Sequence, residues 1–151
     1  RLLGGVFARE QRAEVLCDAF DREWAALNVL AAGLPRQQVL YLIWREPWLS
    51  VARDTYISRM LAAAGWDTLP QESPVRYPEI DLPALAGDAE IVFLSSEPYP
   101  FREQHVRQLT KQLPGTRSSL IDGEMVSWYG SRAIHGLKYL RELRTRLADP
   151  S

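Results

Sequence analysis

The first third of the chain carries apolar residues at a helical spacing. Four large apolar side chains follow one another at intervals of four, four and three residues, which places them on one face of a helix. They are Leu16, Phe20, Trp24 and Leu27. The spacing predicts one helix over residues 6–32, which a Gly-Leu-Pro sequence ends. At about 1.5 Å per residue it would be roughly 40 Å long, enough to span more than one structural unit.

The remaining apolar runs are typical of strands. Residues 38–44 and 90–96 are almost continuously apolar, which suits strands that are buried on both faces of a parallel sheet. Residues 66–69 and 117–122 predict two shorter strands.

Helical patterns alternate with these strands. They cover residues 55–64, 81–86, 102–112 and a last stretch that runs to about residue 147. Asp54 is the predicted N-cap of the first of them, and Ser127 is the predicted N-cap of the last. The order predicts an α/β fold, with a mostly parallel four-stranded sheet flanked by helices and preceded by one long helix.

Composition excludes several classes of function. The 151 residues amount to about one domain, and a net charge of −1 provides no basic surface for nucleic acid. No apolar stretch approaches the ~20 residues of a membrane span, so we predict a chain that does not span the membrane.

The single cysteine, Cys17, cannot form an intrachain disulfide. The two histidines, His105 and His135, do not have metal-binding spacing, and no phosphate-binding loop is present. We therefore predict no metal site and no intrinsic cofactor.

Aromatic and charged residues follow three strands of the predicted sheet. The carboxyl ends of parallel strands form the edge at which open α/β sheets bind ligands. Flat apolar side chains with a few polar groups between them suit a large, partly hydrophobic ligand. The predicted ligand-binding residues are Trp44, Arg45, Trp48, Tyr77, Glu97, Tyr99, Phe101, Asp122, Glu124, Trp128 and Tyr129.

A catalytic alternative uses polar residues at the same strand ends. Ser96, Asp122 and His135 occur in the chain order of an α/β-hydrolase triad, although the glycines of the nucleophile turn are absent. Glu97 and Glu124 could also take part in acid–base chemistry. The alternative to a binding protein is therefore a small α/β hydrolase or transferase that uses Ser96, Glu97 or Asp122.

Three segments together resemble a known family. They are residues 41–66 (YLIWREPWLSVARDTYISRMLAAAGW), 76–101 (RYPEIDLPALAGDAEIVFLSSEPYPF) and 121–140 (IDGEMVSWYGSRAIHGLKYL). The sequence resembles the helical-backbone (class III) substrate-binding proteins of ABC importers, of the cobalamin- and siderophore-binding type. These proteins hold a ligand between two α/β lobes that one long helix joins.

The resemblance implies a division of the chain and a role for it. Residues 1–35 would contain the backbone helix, and residues 36–151 would form the C-terminal lobe, with the N-terminal lobe missing. The protein would be a non-enzymatic binding component for a large organic or metal-chelate ligand, cobalamin first and then a siderophore or haem. Its location would be periplasmic or lipid-anchored and extracytoplasmic.

The resemblance also implies an ABC permease as a partner. In this family a glutamate in the short helix after the loop with the flanking aromatic docks on the permease. Here Tyr77 matches that aromatic, and Pro83 stands near the position of the glutamate, with Glu79 and Asp81 close by.

Overall fold

Helices and strands alternate along residues 10–148, the part of the chain that the computed structural model describes. The alternation confirms the predicted α/β fold. The elements are α1 (Glu10–Ala32), β1 (Gln37–Leu42), α2 (Tyr56–Ala63), β2 (Trp66–Leu69), α3 (Leu82–Ala86), β3 (Ile91–Ser95), α4 (Glu103–Gln112), β4 (Arg117–Ile121), α5 (Gly123–Ser127), a 3-10 turn (Gly130–Arg132) and α6 (Ala133–Ala148).

The four strands form one parallel sheet in the order β2-β1-β3-β4. This confirms the predicted sheet. The chain first moves from β1 to β2 on one side and then crosses back to β3 on the other side. The strand order therefore reverses between β1 and β3, and a crevice forms beyond the carboxyl ends of these two strands.

Both faces of the sheet are covered, as the continuous apolar strands predict. Val39 and Tyr41 of β1 point into a core that α1, α2, α5 and α6 close. Leu40 and Leu42 point into a second core that α3 and α4 close. Successive side chains of a strand alternate between faces, so one strand supplies both cores.

The long helix α1 confirms the prediction over residues 10–32, and residues 6–9 lie outside the described part. Its apolar stripe is buried unevenly. Leu27 is fully buried, whereas Trp24 remains 38% exposed and Leu16 40% exposed. The buried end packs against α6, where Arg141 forms an ion pair with Glu23 at 3.2 Å. Among residues 10–148, no helix combines the length and the hydropathy that crossing a membrane requires.

The predicted cap of α2 is wrong by one residue. Thr55, not Asp54, is the N-cap, and its hydroxyl oxygen accepts a hydrogen bond from the Ser58 N–H at 3.2 Å. Thr55 is buried where its hydroxyl can reach the helix end. Asp54 lies outside the first turn and faces Arg76, with 3.5 Å between Nε and Oδ2.

The final helix is present as α6, but its predicted cap, Ser127, is wrong. Asp122 caps a short helix, α5, which ends at Ser127. Gly130 then adopts a φ of +68°, a left-handed conformation that suits glycine, and α6 begins at Ala133. The break lets α6 fold back against α5, where a Cβ at Gly136 would collide with the Met125 carbonyl oxygen.

Candidate functional site

A cavity of about 550 Å³ lies at the carboxyl edge of the sheet, beside the crevice between β1 and β3. The ends of β1, β3 and β4 supply part of its wall, and the loops that follow them supply the rest. The lining residues are Tyr41, Ile43, Leu49, Ile57, Tyr77, Glu97, Pro98, Gly123 and Ser127. The volume falls within the range of small-molecule sites, and most of the lining is apolar.

A buried tyrosine forms the floor of the cavity. Tyr41 is fully buried, and its hydroxyl donates a hydrogen bond to the Ser95 hydroxyl oxygen at 2.9 Å. Ser95 in turn donates to the Glu97 carbonyl oxygen at 2.6 Å. Burial raises the pKa of Tyr41, so the ring stays neutral at physiological pH. This chain of hydrogen bonds joins β1 to β3 and holds the backbone that carries Glu97.

A glycine allows the end of β4 to approach the end of β3. A Cβ at Gly123 would collide with the Ser95 hydroxyl oxygen and would lie 3.1 Å from the Glu97 amide nitrogen. The Gly123 N–H donates to the Ser96 hydroxyl oxygen at 2.9 Å. Any larger residue at this position would push the two strand ends apart and change the shape of the floor.

Three carboxylates meet at this end of the cavity, and we call Glu97, Asp122 and Glu124 the acidic corner. Asp122 caps α5 and accepts hydrogen bonds from the N–H groups of Glu124, at 3.0 Å, and Met125, at 3.3 Å. Partial burial and the nearby carboxyl group of Glu97 raise the pKa of Glu124, and Arg132 partly opposes this effect. The corner is therefore a region of negative potential next to an apolar surface.

The predicted aromatic residues do not form one wall. Tyr77 lines the cavity and remains 55% exposed. Tyr129 lies beside it, in a smaller pocket of about 250 Å³ that shares Tyr77. Trp128 follows α5, with the Arg132 guanidinium 3.8 Å from the centre of its ring. These residues belong to the cavity side of the sheet edge.

The other predicted residues pack together on the opposite side of the edge. Phe101 is only 4% exposed, stacks on Trp48 at 6.2 Å and contacts Tyr99 at 4.5 Å. All three belong to the second core, with the leucines of β1. Trp44 meets Tyr99 edge-on, and Arg45 lies 5.8 Å from the centre of the Trp48 ring. These five residues, which we call the packed cluster, do not line the cavity.

The arrangement does not favour the catalytic alternative. The Ser96 hydroxyl and the Asp122 carboxylate are both occupied with backbone N–H groups at the start of α5. His135 is an exposed residue of α6, on the helix that follows the break. Within residues 10–148, no group of three or more His, Cys, Asp or Glu side chains is arranged to hold a metal ion.

The sequence reasoning missed most of the apolar lining. Tyr41 and Ile43 lie inside the predicted strand 38–44, where their apolar character predicts only burial in the core. Leu49 and Ile57 are equally typical of core residues. Gly123 carried a signal, because a glycine directly after a strand and before a helix marks a close backbone approach.

Comparisons with known proteins support the fold. No family model and no curated protein matches the chain. Solved structures do match. The periplasmic vitamin B12 binding protein BtuF of Vibrio cholerae is 13% identical in sequence, with a TM-score of 0.69. The match covers 86% of this chain and 52% of the BtuF chain. The periplasmic heme-binding protein RhuT from Roseiflexus sp. RS-1 is 21% identical with a TM-score of 0.74, over 99% of this chain and 61% of that chain.

A third match has a different ligand in its name. A protein of an ABC-type Fe3+-hydroxamate transport system from Saccharomonospora viridis is 16% identical with a TM-score of 0.64, over 93% of this chain and 52% of that chain. The chain thus spans little more than half the length of these proteins. It has the fold of part of a periplasmic binding protein, a long helix followed by one α/β lobe, as the resemblance of its sequence predicts.

Proposed function

We propose that this chain is the ligand-binding lobe and linking helix of an ABC-importer substrate-binding protein. Its ligand is a large organic molecule or metal chelate, with cobalamin first and a siderophore or haem next. The protein binds and releases this ligand without transforming it.

The observation that carries the proposal is the cavity. It lies beside the strand-order reversal, the place where open α/β sheets bind ligands. It combines an apolar wall with an exposed Tyr77 at its rim, which offers a flat surface to a ring system. The structures that share this fold include proteins named for vitamin B12, heme and Fe3+-hydroxamate, all large metal chelates.

The chain would supply one of two walls of a cleft. In this proposal residues 1–35 hold the linking helix and residues 36–151 form the lobe, while a second lobe faces the cavity. The exposed Trp24 and Leu16 on α1 agree with a further packing partner for that helix. The site residues on this wall are those of the cavity, with Tyr129 and Trp128 beside it.

The importer role adds a partner and a location. The lobe would dock on an ABC permease outside the cytoplasm, in the periplasm or on a lipid anchor. Asp81 caps α3, and its carboxylate accepts a hydrogen bond from the Ala84 N–H at 3.2 Å. Glu79 is exposed beside it, and it is the acidic group we propose for docking in this region.

A titration tests the ligand assignment. Cobalamin, haem and a ferric hydroxamate are titrated, by calorimetry and absorbance, into the 151-residue chain and into a two-lobed form of the protein. We expect binding by the two-lobed form and weaker binding by the chain, because one wall buries less of the ligand. Tyr77→Ala should weaken binding about tenfold, as for a flat ring contact worth roughly 1–2 kcal/mol.

A matched control separates a ligand contact from a general loss of aromatic surface. Trp44→Ala removes a similarly exposed ring from the packed cluster, which does not line the cavity, and it should leave affinity unchanged. Failure of the two-lobed form to bind any of the three chelates would refute the ligand assignment.

A further inference from the structure

The cavity has an uneven charge distribution. Among its lining residues Glu97 is the single charged one, and it stands at one end. Asp122 and Glu124 flank Gly123, which lines the same end, so the acidic corner adjoins a mainly apolar wall. A bound ligand would therefore meet negative charge on one side and apolar or neutral groups elsewhere.

The carboxylates of Glu97 and Glu124 have no ion-pair partner within residues 10–148. Ion pairs in that part of the chain include Arg36 with Asp67, Arg45 with Glu46, Arg76 with Asp54 and Arg141 with Glu23. Glu97 and Glu124 differ from the other surface carboxylates in position, because they lie at one end of the cavity. Their negative charge is therefore available to a ligand there.

The backbone holds Glu97 in place. Ser95 donates to the Glu97 carbonyl oxygen at 2.6 Å and accepts from the Glu97 N–H at 3.3 Å, while Tyr41 fixes Ser95 from below. The corner is thus attached to a rigid floor. These hydrogen bonds fix the backbone of Glu97, so its carboxylate stays within side-chain reach of the same end of the cavity.

Two cations lie near the cavity but do not neutralise the corner. Arg132 lies over the Trp128 ring. Its positive charge lowers the pKa of Glu124 and so partly opposes the raised value, but it forms no ion pair with this carboxylate. Arg76 lines the neighbouring smaller pocket, where Asp54 faces it at 3.5 Å. The neutral hydroxyls of Tyr41 and Tyr139 face the corner from β1 and α6.

We propose that Glu97 and Glu124 select the ligand by charge. They accept a metal chelate that turns amide or amine donors towards this corner and reject one that turns carboxylates towards it. This inference rests on the proposed function, because it specifies the ligand class of the same cavity. Two carboxylates without an arginine partner accept hydrogen bonds from N–H groups, and they repel a third carboxylate that is brought into the cavity beside them.

Matched probes that differ only in charge test the inference. One pair is cobalamin and the corrinoid whose side-chain amides are hydrolysed to carboxylates. The other is haem and haem dimethyl ester, in which both propionates are masked. Each is titrated into the form of the protein that binds chelates. We expect the uncharged member of each pair to bind about tenfold more tightly or better.

Two single variants, the double variant and one control variant locate the effect. Glu97→Gln and Glu124→Gln keep the side-chain shape and remove the charge, and the double variant should bring the two members of each pair within about twofold. Glu142→Gln, an exposed glutamate of α6, is the matched control and should leave the preference intact. The salt dependence of the wild-type protein provides a test without any substitution, because the rejection of the charged member should weaken as ionic strength rises.

The outcomes separate this inference from the proposed function. If charged and uncharged members bind equally well, and Tyr77→Ala weakens both, the cavity binds chelates and the charge selection is refuted. If the preference survives in the double variant, Glu97 and Glu124 are not its source and the inference is again refuted. If no chelate binds in any form, the proposed function and this inference fail together.

Discussion

The two sides of the carboxyl edge use similar residues for different purposes. On one side Phe101, Trp48 and Tyr99 stack on one another and join the second core. On the other side Tyr77 and Tyr129 remain largely exposed around a cavity. The same aromatic chemistry thus stabilises the fold where α4 covers the rings and leaves rings open to solvent around the cavity.

The largest effect expected is on the packed side. Phe101→Ala removes a 4% exposed ring and should lower the free energy of unfolding by about 3–5 kcal/mol, the usual cost of a large-to-small change in a core. Denaturant unfolding measures it. A loss of less than about 1 kcal/mol would show that the packed cluster is not core, and the comparison would fail.

A change at the floor should affect both stability and binding. Gly123→Ala places a Cβ against the Ser95 hydroxyl oxygen and close to the Glu97 amide nitrogen. The Glu97 backbone cannot move easily, so the change should lower the free energy of unfolding by about 1–3 kcal/mol, as overpacking does. Gly87→Ala is the control, since no atom lies within 4 Å of its added Cβ. Equal stabilities of the two variants in denaturant unfolding would refute the close approach.

The hydroxyl of the floor tyrosine provides a smaller test. Tyr41→Phe removes the hydrogen bond to Ser95 and should lower the free energy of unfolding by about 1 kcal/mol. Ligand affinity should fall as well, because the backbone of Glu97 loses its support. A variant as stable as the wild-type protein in denaturant unfolding would mean that the hydrogen bond does not hold the floor.

A substitution on the cavity side should affect ligand binding more than stability, unlike one in the packed cluster. Tyr77→Ala should change the free energy of unfolding by less than about 0.5 kcal/mol, because the ring is 55% exposed. Its effect should appear in the chelate titration instead. A large loss of stability with unchanged binding would reverse the assignment of the two sides.

The opposite, amino edge of the sheet supplies a small effect that depends on pH and does not involve the cavity. There the Arg36 guanidinium donates to the Asp67 carboxylate at 2.8 Å, and this hydrogen bond lowers the pKa of Asp67. A lowered pKa adds stability above the ordinary aspartate value of about 4, and the gain is lost as pH falls through the folded-state pKa.

The matching experiment is Asp67→Asn. It should reduce the free energy of unfolding at pH 7 by under about 1 kcal/mol, since the pair is partly exposed, and should have no effect near pH 2. Denaturant unfolding at both pH values measures the difference, and chelate binding should not change. A cost that is equal at both pH values would show that the ion pair contributes nothing.

The sequence by itself determined the order and type of the elements. Continuous apolar runs predicted the buried parallel strands, and helical spacing predicted α1 and α2, because periodicity is a local property that a single chain displays. The sequence did not predict helix ends that depend on how the chain packs. Asp122 caps α5 because the chain turns at the end of β4, and the break at Gly130 follows from the packing of α6 on α5.

Only the tertiary structure decided which residues share a site. Strand ends fall at one edge in any parallel sheet, so the sequence could place Trp48, Phe101, Tyr77 and Glu97 near that edge. It could not say on which face each would lie, because the β2-β1-β3-β4 order sends α2 to one side and α4 to the other. The division between a packed cluster and an open cavity therefore follows from the crossing of the chain between β2 and β3, a long-range property that local sequence does not encode.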